Sequence, residues 1–124
     1  MESEPDHPTA LLISRDLFFT SKVTGTAAAL GINLQVVGDA ETAARLADDE
    51  HCQCVFIDLA DAGLDVSSFL RNFKSERTLP VVAFGSHVAT ARLQEAREAG
   101  CTEVMPRSRF SASLPELLKQ YCGP

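Results

Sequence analysis

Five short apolar runs, separated by stretches with helical periodicity, constrain this chain more than any other feature of its sequence. The runs span residues 10–13, 34–37, 55–57, 81–84 and, more weakly, 104–105. A short run that is apolar at every position is typical of a strand buried on both faces of a parallel sheet. The sequence therefore predicts five parallel strands.

The stretches between these runs carry helix signals. The predicted helices span residues 17–30, 40–47, 66–73, 87–99 and 110–121. Gly31 and Gly100 follow two of them, where glycine suits the left-handed conformation just past a helix end. Asp39 and Ser86 precede two others and can cap their free amides. Pro115 is compatible with the last helix only in its first turn.

This alternation of strands and helices predicts an α/β fold with right-handed crossovers. We expect a three-layer, doubly wound, five-stranded parallel sheet with helices on both faces. The 124 residues suffice for one core of this kind. The predicted organisation is a flexible N-terminal lead-in over residues 1–9, one domain over residues 10–121, and a short tail over residues 122–124.

Charge and composition exclude several classes of partner. The chain has 11 basic and 17 acidic residues and a net charge of −6, which argues against direct binding of nucleic acid. Its apolar runs are too short to span a bilayer. The acidic, proline-broken N-terminus lacks the pattern of a secretory signal. We therefore expect a cytoplasmic protein that binds no membrane and whose four cysteines are thiols.

Candidate pocket residues follow four of the five predicted strands. In chain order they are Ser14, Arg15, Asp16, Asp58, Gly85, Ser86 and Arg107. The carboxyl ends of parallel strands meet at one edge of a sheet, and sites in such folds lie there. Asp58 directly follows an apolar strand, a place where solvation disfavours a carboxylate unless a neighbour holds its charge.

Residues 10–121 resemble the receiver domain of two-component response regulators, the family of the chemotaxis regulator. Residues 14–16 match the place of the family's acidic pair, and Asp58 matches its phosphoacceptor aspartate. Residues 79–84 match the lead into the fourth strand, and residues 99–107 match the stretch that ends in the family's lysine. The resemblance implies a flavodoxin-like receiver fold and a non-catalytic role in signal transduction.

Several positions depart from the family's pattern. In the family, two carboxylates after the first strand and the acceptor aspartate bind Mg²⁺, while a hydroxyl and a lysine bind the phosphoryl oxygens. Here the acidic pair is reduced to Asp16, beside the cation Arg15. The hydroxyl position falls on Gly85, with Ser86 one residue late, and the lysine position falls on Arg107.

These departures lead to the hypothesis of a degenerate domain, or pseudo-receiver, that works without phosphorylation and without a cofactor. Asp58 would pair with Arg15 or Arg107, and the ion pair would stand in for the metal. One alternative keeps the family's chemistry, with Asp58 phosphorylated and Mg²⁺ held by Asp16 and Asp58. Another alternative makes Asp58 a helix cap that touches no arginine.

A protein partner or a second copy of the chain is expected on the face formed by the fourth helix, the fifth strand and the fifth helix, where receivers bind partners. The residues assigned to this face are Arg92, Arg97, Val104, Arg107 and Arg109. The alternative is a solvated surface whose arginines pair with nearby glutamates. Phe18 and Phe19 begin the first helix together, so one of them is a second candidate contact.

Three other motifs point to weaker alternatives. Residues 24–26 (Thr-Gly-Thr) are similar to the phosphate loop of flavodoxins, which would make this a small-ligand or flavin-binding domain, although such a loop directly follows the first strand. Residues 51–54 (His-Cys-Gln-Cys) look like a metal-binding fragment but lack a second ligand pair. Ser86 and His87 lack the spacing of a nucleophile elbow, so no enzymatic activity is expected.

Overall fold

The computed structural model describes residues 9–48, 51–60, 64–72 and 79–122. The strands are β1 (Ala10–Ile13), β2 (Leu34–Val37), β3 (Cys54–Asp58), β4 (Val81–Gly85) and β5 (Glu103–Pro106). The helices are α1 (Leu17–Ala29), α2 (Ala40–Ala47), α3 (Val66–Asn72), α4 (Thr90–Ala99), α5 (Arg107–Ala112) and α6 (Leu114–Cys122).

The five strands form one parallel sheet in the order β2-β1-β3-β4-β5. Chain order reverses at β1, since β2 lies on one side of it and β3 on the other. In open α/β sheets, binding sites lie at the carboxyl ends of the strands next to such a reversal. The prediction of a doubly wound, five-stranded parallel sheet is confirmed.

Two apolar cores cover the two faces of the sheet. In β3, Val55 and Ile57 face the core formed with α2, α3 and α4, whereas Cys54 and Phe56 face the core formed with α1, α5 and α6. Successive side chains of a strand point to opposite faces, so a run that is buried at every position needs a core on each side. All five residues of β3 are buried, as this arrangement requires.

Three of the predicted helix ends are confirmed. Gly31 and Gly100 adopt positive φ angles of 75° and 102°, the conformation that glycine tolerates best. Asp39 caps α2, because its carboxylate accepts a hydrogen bond of 2.7 Å from the amide of Thr42. α3 ends at Asn72, and residue 73 of the predicted helix lies outside the described residues.

The prediction that Ser86 caps the fourth helix is wrong. α4 begins at Thr90, and Ala89 is its capping residue without a side-chain hydrogen bond. Ser86 instead begins a turn, in which its carbonyl accepts from the amide of Ala89 and its hydroxyl accepts from the amide of Val88. The serine satisfies amides of this turn and is therefore not available to the helix.

The last predicted helix is divided in two. α5 begins at Arg107, three residues before the predicted start, and ends before Ser113. α6 then contains Pro115 as its second residue, where the missing amide hydrogen is tolerated. Cys122, predicted as the first residue of the tail, ends α6 and is buried.

The ends of the predicted domain are only partly described. Thr9, predicted as the last residue of the lead-in, bonds to the sheet: its amide donates to the carbonyl of Asn33 and its carbonyl accepts from the amide of Gln53. Residues 1–8 and 123–124 lie outside the described residues. Within the described ranges, no helix is both long and apolar enough to cross a membrane.

We expect the capping aspartates to make the fold sensitive to acid. The Thr42 amide lowers the pKa of Asp39 below its ordinary value, and the Ser68 amide does the same for Asp65. A carboxyl group whose pKa is lower in the folded state stabilises the fold above its unfolded-state pKa of about 3.9, and this stabilisation is lost as the pH falls toward the folded-state value.

Asp39→Asn tests this expectation, because asparagine can cap a helix but carries no titrating charge. Urea unfolding of this variant should match that of the wild type near neutral pH and should show a smaller loss of unfolding free energy between about pH 5 and pH 2. Asp39→Ala, which removes the cap, should be less stable at every pH. Equal acid losses in the wild type and Asp39→Asn would contradict the assignment.

Candidate functional site

Asp58, the last residue of β3, is a buried carboxylate whose two oxygens are both hydrogen bonded. Its residue exposure is 2%. Oδ2 accepts from the Ser14 hydroxyl at 2.8 Å, and Oδ1 accepts from the amide of Ala60 at 3.0 Å. The Arg107 guanidinium donates to both oxygens at 3.0 and 3.1 Å. A buried charge is costly unless it is paired and bonded in this way.

Arg107, the first residue of α5, bridges two carboxylates. Nη2 contacts Asp58, and Nη1 lies 3.1 Å from Oδ2 of Asp16. The side chains of Arg107, Asp16 and Asp58 are 31%, 40% and 3% exposed, so the bridge runs from the core to the surface. A guanidinium suits this position because its planar fork of donors spans the two carboxylates, whereas a lysine ammonium is a compact point charge.

Aromatic rings hold the guanidinium from the side of the core. The Arg107 Cζ lies 4.4 Å from the ring centre of Phe19 and 5.8 Å from that of Phe84. Phe84 stacks on Phe110 at 4.1 Å, and Phe19 packs against both rings. Cation–π contacts with aromatic rings favour a partly desolvated guanidinium. The rings therefore contact the guanidinium on one side, while the carboxylates bond to its Nη atoms.

Asp16 joins the bridge to the start of α1. Its Oδ1 caps the helix by accepting from the amide of Phe19 at 3.0 Å, while its own amide donates to the Ser14 hydroxyl at 3.2 Å. The Phe19 amide, followed by Arg107, lowers the pKa of Asp16 below its ordinary value. The residues after β1 and the residues at the start of α5 are thus connected through charged side chains.

The sequence left open whether Arg15 or Arg107 would pair with Asp58, and the structure places Arg107 there. Arg15 is exposed, and its Nε donates to the carbonyl of Gly38 at 3.0 Å, at the end of β2. The alternative in which Asp58 touches no arginine is wrong. Asp58 does accept from the amide of Ala60 in the following turn, but it contacts Arg107 as well.

The residue that aligns with the family's hydroxyl position has little room for a side chain. Gly85 is buried, and a Cβ added to it would lie 3.2 Å from the Cβ of Leu59, which is closer than side chains normally approach. Ser86, the neighbouring candidate, is exposed and bonds to the amide of Val88 within its own turn. The hydroxyl that contacts Asp58 comes instead from Ser14, after β1.

The arginines of the predicted interaction face differ in their surroundings, and the face itself stays a prediction. Arg92 turns toward α3, where its Nε donates to the carbonyl of Leu59 and its Nη2 donates to the carbonyl of Leu64. Arg97 lies about 140° further around α4, because residues five apart on a helix face different directions. Arg97 remains exposed.

The other members of that predicted face also differ in their surroundings. Arg109 is exposed, as predicted. Val104 is half-buried and packs against the apolar core on the side of α4. Arg107 is committed to the two carboxylates. Among the described members of the face, Arg97 and Arg109 are the exposed cations.

Sequence reasoning missed the role of Arg92 and the role of the aromatic rings. Arg92 ties α4 to the segment that follows Asp58, and Glu95 on the same helix accepts from it at 3.2 Å. No local pattern marks this contact, since Arg92 and Leu59 lie far apart in the sequence. Phe84 carries a weak signal, because it lies next to Gly85, a candidate pocket position, in the chain.

The carboxylates do not suit Mg²⁺ in this arrangement. Mg²⁺ requires a near-octahedral set of oxygen ligands. Every carboxylate oxygen of Asp16 and Asp58 already accepts a hydrogen bond, and the Arg107 guanidinium lies between the two groups. An ion at this place would have to displace a charged side chain that belongs to the chain itself.

The remaining metal and flavin alternatives also lack support in the geometry. Across the described ranges, no group of three or more histidine, cysteine or acidic residues could hold a metal. Cys52 and Cys54 pack in the cores on opposite faces of the sheet. Residues 24–26 lie inside α1, where the backbone amides belong to the helix and do not form a phosphate loop.

Removing the Arg107 guanidinium should destabilise the fold, because it leaves the buried Asp58 carboxylate without its cation. For Arg107→Ala we expect a loss of about 3 kcal/mol in the free energy of unfolding, measured by urea unfolding at neutral pH. Arg109→Ala, an exposed arginine on the same helix, is the matched control and should change stability by less than about 0.5 kcal/mol.

A second substitution separates this electrostatic effect from lost packing. In the Arg107→Ala background, Asp58→Asn removes the uncompensated charge and should restore part of the lost stability. Equal stabilities of Arg107→Ala and Arg109→Ala would show that the bridge contributes nothing.

The chain is similar in structure to receiver domains. One match is the receiver domain of a sensor histidine kinase from Pseudomonas aeruginosa, crystallised with a magnesium ion in its active-site cleft, with a TM-score of 0.76 and 20% identity over 93% of this chain and 97% of that one. A response regulator from Hahella chejuensis matches with a TM-score of 0.77 and 12% identity over 92% and 94% of the two chains.

The receiver domain of NtrX from Brucella abortus matches with a TM-score of 0.72 and 17% identity, over 91% of this chain and 97% of that one. No family model matches the sequence, and no curated protein matches it. Structural similarity at this level of identity establishes the fold. The chain has the flavodoxin-like fold of response-regulator receiver domains.

Proposed function

We propose that this chain is a non-catalytic, receiver-like signalling module that acts by protein–protein interaction and without phosphorylation of Asp58. The observation that carries the proposal is the Arg107 guanidinium, which contacts Asp58 and Asp16 together. The receiver fold supports a signalling role, and this bridge supports independence from a phosphoryl group.

The bridge opposes phosphoryl transfer to Asp58. A carboxylate that attacks phosphorus needs a free oxygen lone pair and a cation that neutralises the incoming phosphoryl charge. Both Asp58 oxygens accept hydrogen bonds from Arg107, and the Asp58 side chain is only 3% exposed. Phosphorylation would therefore have to break a buried, charge-assisted contact before any new bond could form.

The position that aligns with the family's hydroxyl also supports the proposal. The resemblance implies a hydroxyl at residue 85 that would follow the phosphoryl group, and Gly85 has no side chain. A larger residue would press on Leu59. We infer that the pocket keeps one arrangement and that the binding surface of the module is constant.

Exposed apolar side chains near the site favour one surface for the partner. Leu17 and Phe18 are 80% and 93% exposed at the start of α1, and Val88 is 73% exposed in the turn after β4. These segments lie at the carboxyl edge of the sheet, as Asp58 does. Apolar side chains that are this exposed mark interaction sites when they cluster. We propose that a protein partner binds this edge through Phe18.

Phosphodonor treatment tests the first part of the proposal. The protein is incubated with Mg²⁺ and acetyl phosphate, and its intact mass is measured under conditions that preserve acyl phosphates. We expect the wild type to gain no phosphoryl group, because Arg107 occupies the position that the metal would need. Arg107→Lys/Arg15→Asp supplies a compact ammonium and a second carboxylate and should gain phosphoryl groups if the pocket alone prevents the reaction.

Asp58→Asn is the matched control for this experiment, since it removes the acceptor with little change in shape. A phosphoryl gain that persists in Asp58→Asn belongs to another residue. Stoichiometric phosphorylation of the wild type that disappears in Asp58→Asn would overturn the proposal in favour of a phosphorylatable receiver.

Substitution of Phe18 tests the binding surface. Phe18→Ala should leave the melting temperature unchanged, because the ring is 93% exposed, and should weaken binding of the partner by about tenfold or more, as expected for an aromatic anchor. Affinity is measured by titration with the purified partner, and sedimentation tests whether that partner is a second copy of the chain.

Arg97→Ala/Arg109→Ala is the comparison variant, since it removes the exposed cations of the face predicted from the sequence. Loss of binding in this variant with full binding in Phe18→Ala would place the partner on the side of α4, β5 and α5 instead.

A further inference from the structure

The outer face of α1 carries almost no charge. Lys22 is the one charged residue among the 13 residues of this helix. By comparison, α4 has four charged residues among its ten. A surface helix normally presents charged side chains to water, whereas a helix that is apolar all round is normally covered on every side. The exposed face of α1 therefore has the composition of a covered face.

This outer face has one large side chain near its start and small side chains behind it. At about 100° per residue, Phe18, Gly25 and Ala29 lie within about 40° of one another around the helix. Phe18 is 93% exposed. The exposed residues that flank this line are Ser21, Ala28 and Lys22. The face thus combines a protruding ring with a shallow surface two turns further along.

The packing of the chain itself gives no reason for a glycine at residue 25. Gly25 lies inside α1, where glycine is less favourable than alanine. A Cβ added to it would meet no atom within 4 Å. Small residues on a helix face allow another chain to approach closely. The shape of this face therefore suits a contact from outside the chain.

We propose that two copies of the chain pair through α1 with the helices antiparallel, so that Phe18 of each copy lies over Gly25 of the other. This inference rests on the proposed function, in which a partner binds through Phe18, and names that partner as a second copy. Phe18 and Gly25 are two turns apart on one face, so a twofold axis between residues 21 and 22 exchanges them. The same face then supplies both the protruding ring and the gap that receives it.

The charge distribution permits two copies to meet at this face. The chain has a net charge of −6, so two copies repel each other in general. α1 contains no carboxylate, and Lys22 lies at the margin of the face, from which its ammonium can extend into water. Antiparallel helices also place opposite ends of their dipoles side by side.

The area of this face sets the strength of the dimer. A helix of 13 residues is about 20 Å long, so two such helices bury on the order of 1,000 Å² in total, the lower end of specific interfaces. We therefore expect a reversible dimer with a dissociation constant on the order of 10 µM.

Sedimentation equilibrium tests the pairing over protein concentrations from about 1 to 300 µM. The mass of the wild type should rise from that of one chain, 13.4 kDa, toward twice that value. Gly25→Leu fills the gap and should weaken the dimer by about tenfold or more. Its melting temperature should not fall, because leucine favours a helix and the site has room for a side chain.

Ala91→Leu is the matched control, since it adds the same side chain to an exposed position of α4. This variant should dimerise as the wild type does. Phe18→Ala, which removes the protruding ring, should be monomeric over the same range of concentrations.

Cross-linking tests the antiparallel register. Ser21→Cys places a thiol beside the twofold axis, so a short bismaleimide should join two chains through their substituted positions. Ala91→Cys should give no such product. Peptide mapping identifies the joined residues and separates this product from any that involves a native cysteine.

A wild type that stays monomeric throughout the range, a dimer that persists in Gly25→Leu, or the absence of a cross-link in Ser21→Cys would each overturn the proposal. These outcomes leave the proposed function intact, because phosphorylation of Asp58 is tested separately with acetyl phosphate. Phe18 would then serve a different protein partner.

Discussion

The structure depends on how the charge of Asp58 is compensated. A carboxylate at the end of a buried strand would destabilise the fold if it stood alone. Arg107 supplies the compensating charge from α5, and the Ser14 hydroxyl donates from the turn after β1. The other terminal nitrogen of the guanidinium donates to Asp16 at the start of α1. Contacts among a few side chains thus join β1, β3, α1 and α5 at one edge of the sheet.

Much of this arrangement could be predicted from the sequence. Five apolar runs determine a parallel sheet, and the carboxyl ends of its strands bring the residues after β1, β3 and β5 to one edge. The choice between Arg15 and Arg107 could not be made, because it depends on the direction of a side chain in the turn after β1. The wrong start of the fourth helix has a local cause, since Ser86 satisfies an amide of its own turn. The last predicted helix is interrupted at Ser113, so that Pro115 lies in the first turn of α6.

Contacts between residues far apart in the chain could not be predicted from the sequence. The cluster of Phe19, Phe84 and Phe110 and the hydrogen bonds from Arg92 to the segment after Asp58 join residues far apart in the chain. Sequence spacing reports only on neighbours within one helix or strand. The structural matches described above are only 12% to 20% identical to this chain, so what they share with it is the fold.

The covalent attachment of Arg107 to the backbone has a consequence for control in the cell. A diffusing ion or a transferable group occupies its site according to supply, so that occupancy rises and falls with concentration. A guanidinium that belongs to the polypeptide is present at every site from the moment the chain folds, whatever the ionic composition around it. Under the proposed function, the strength of the signal would therefore follow the number of molecules made and degraded.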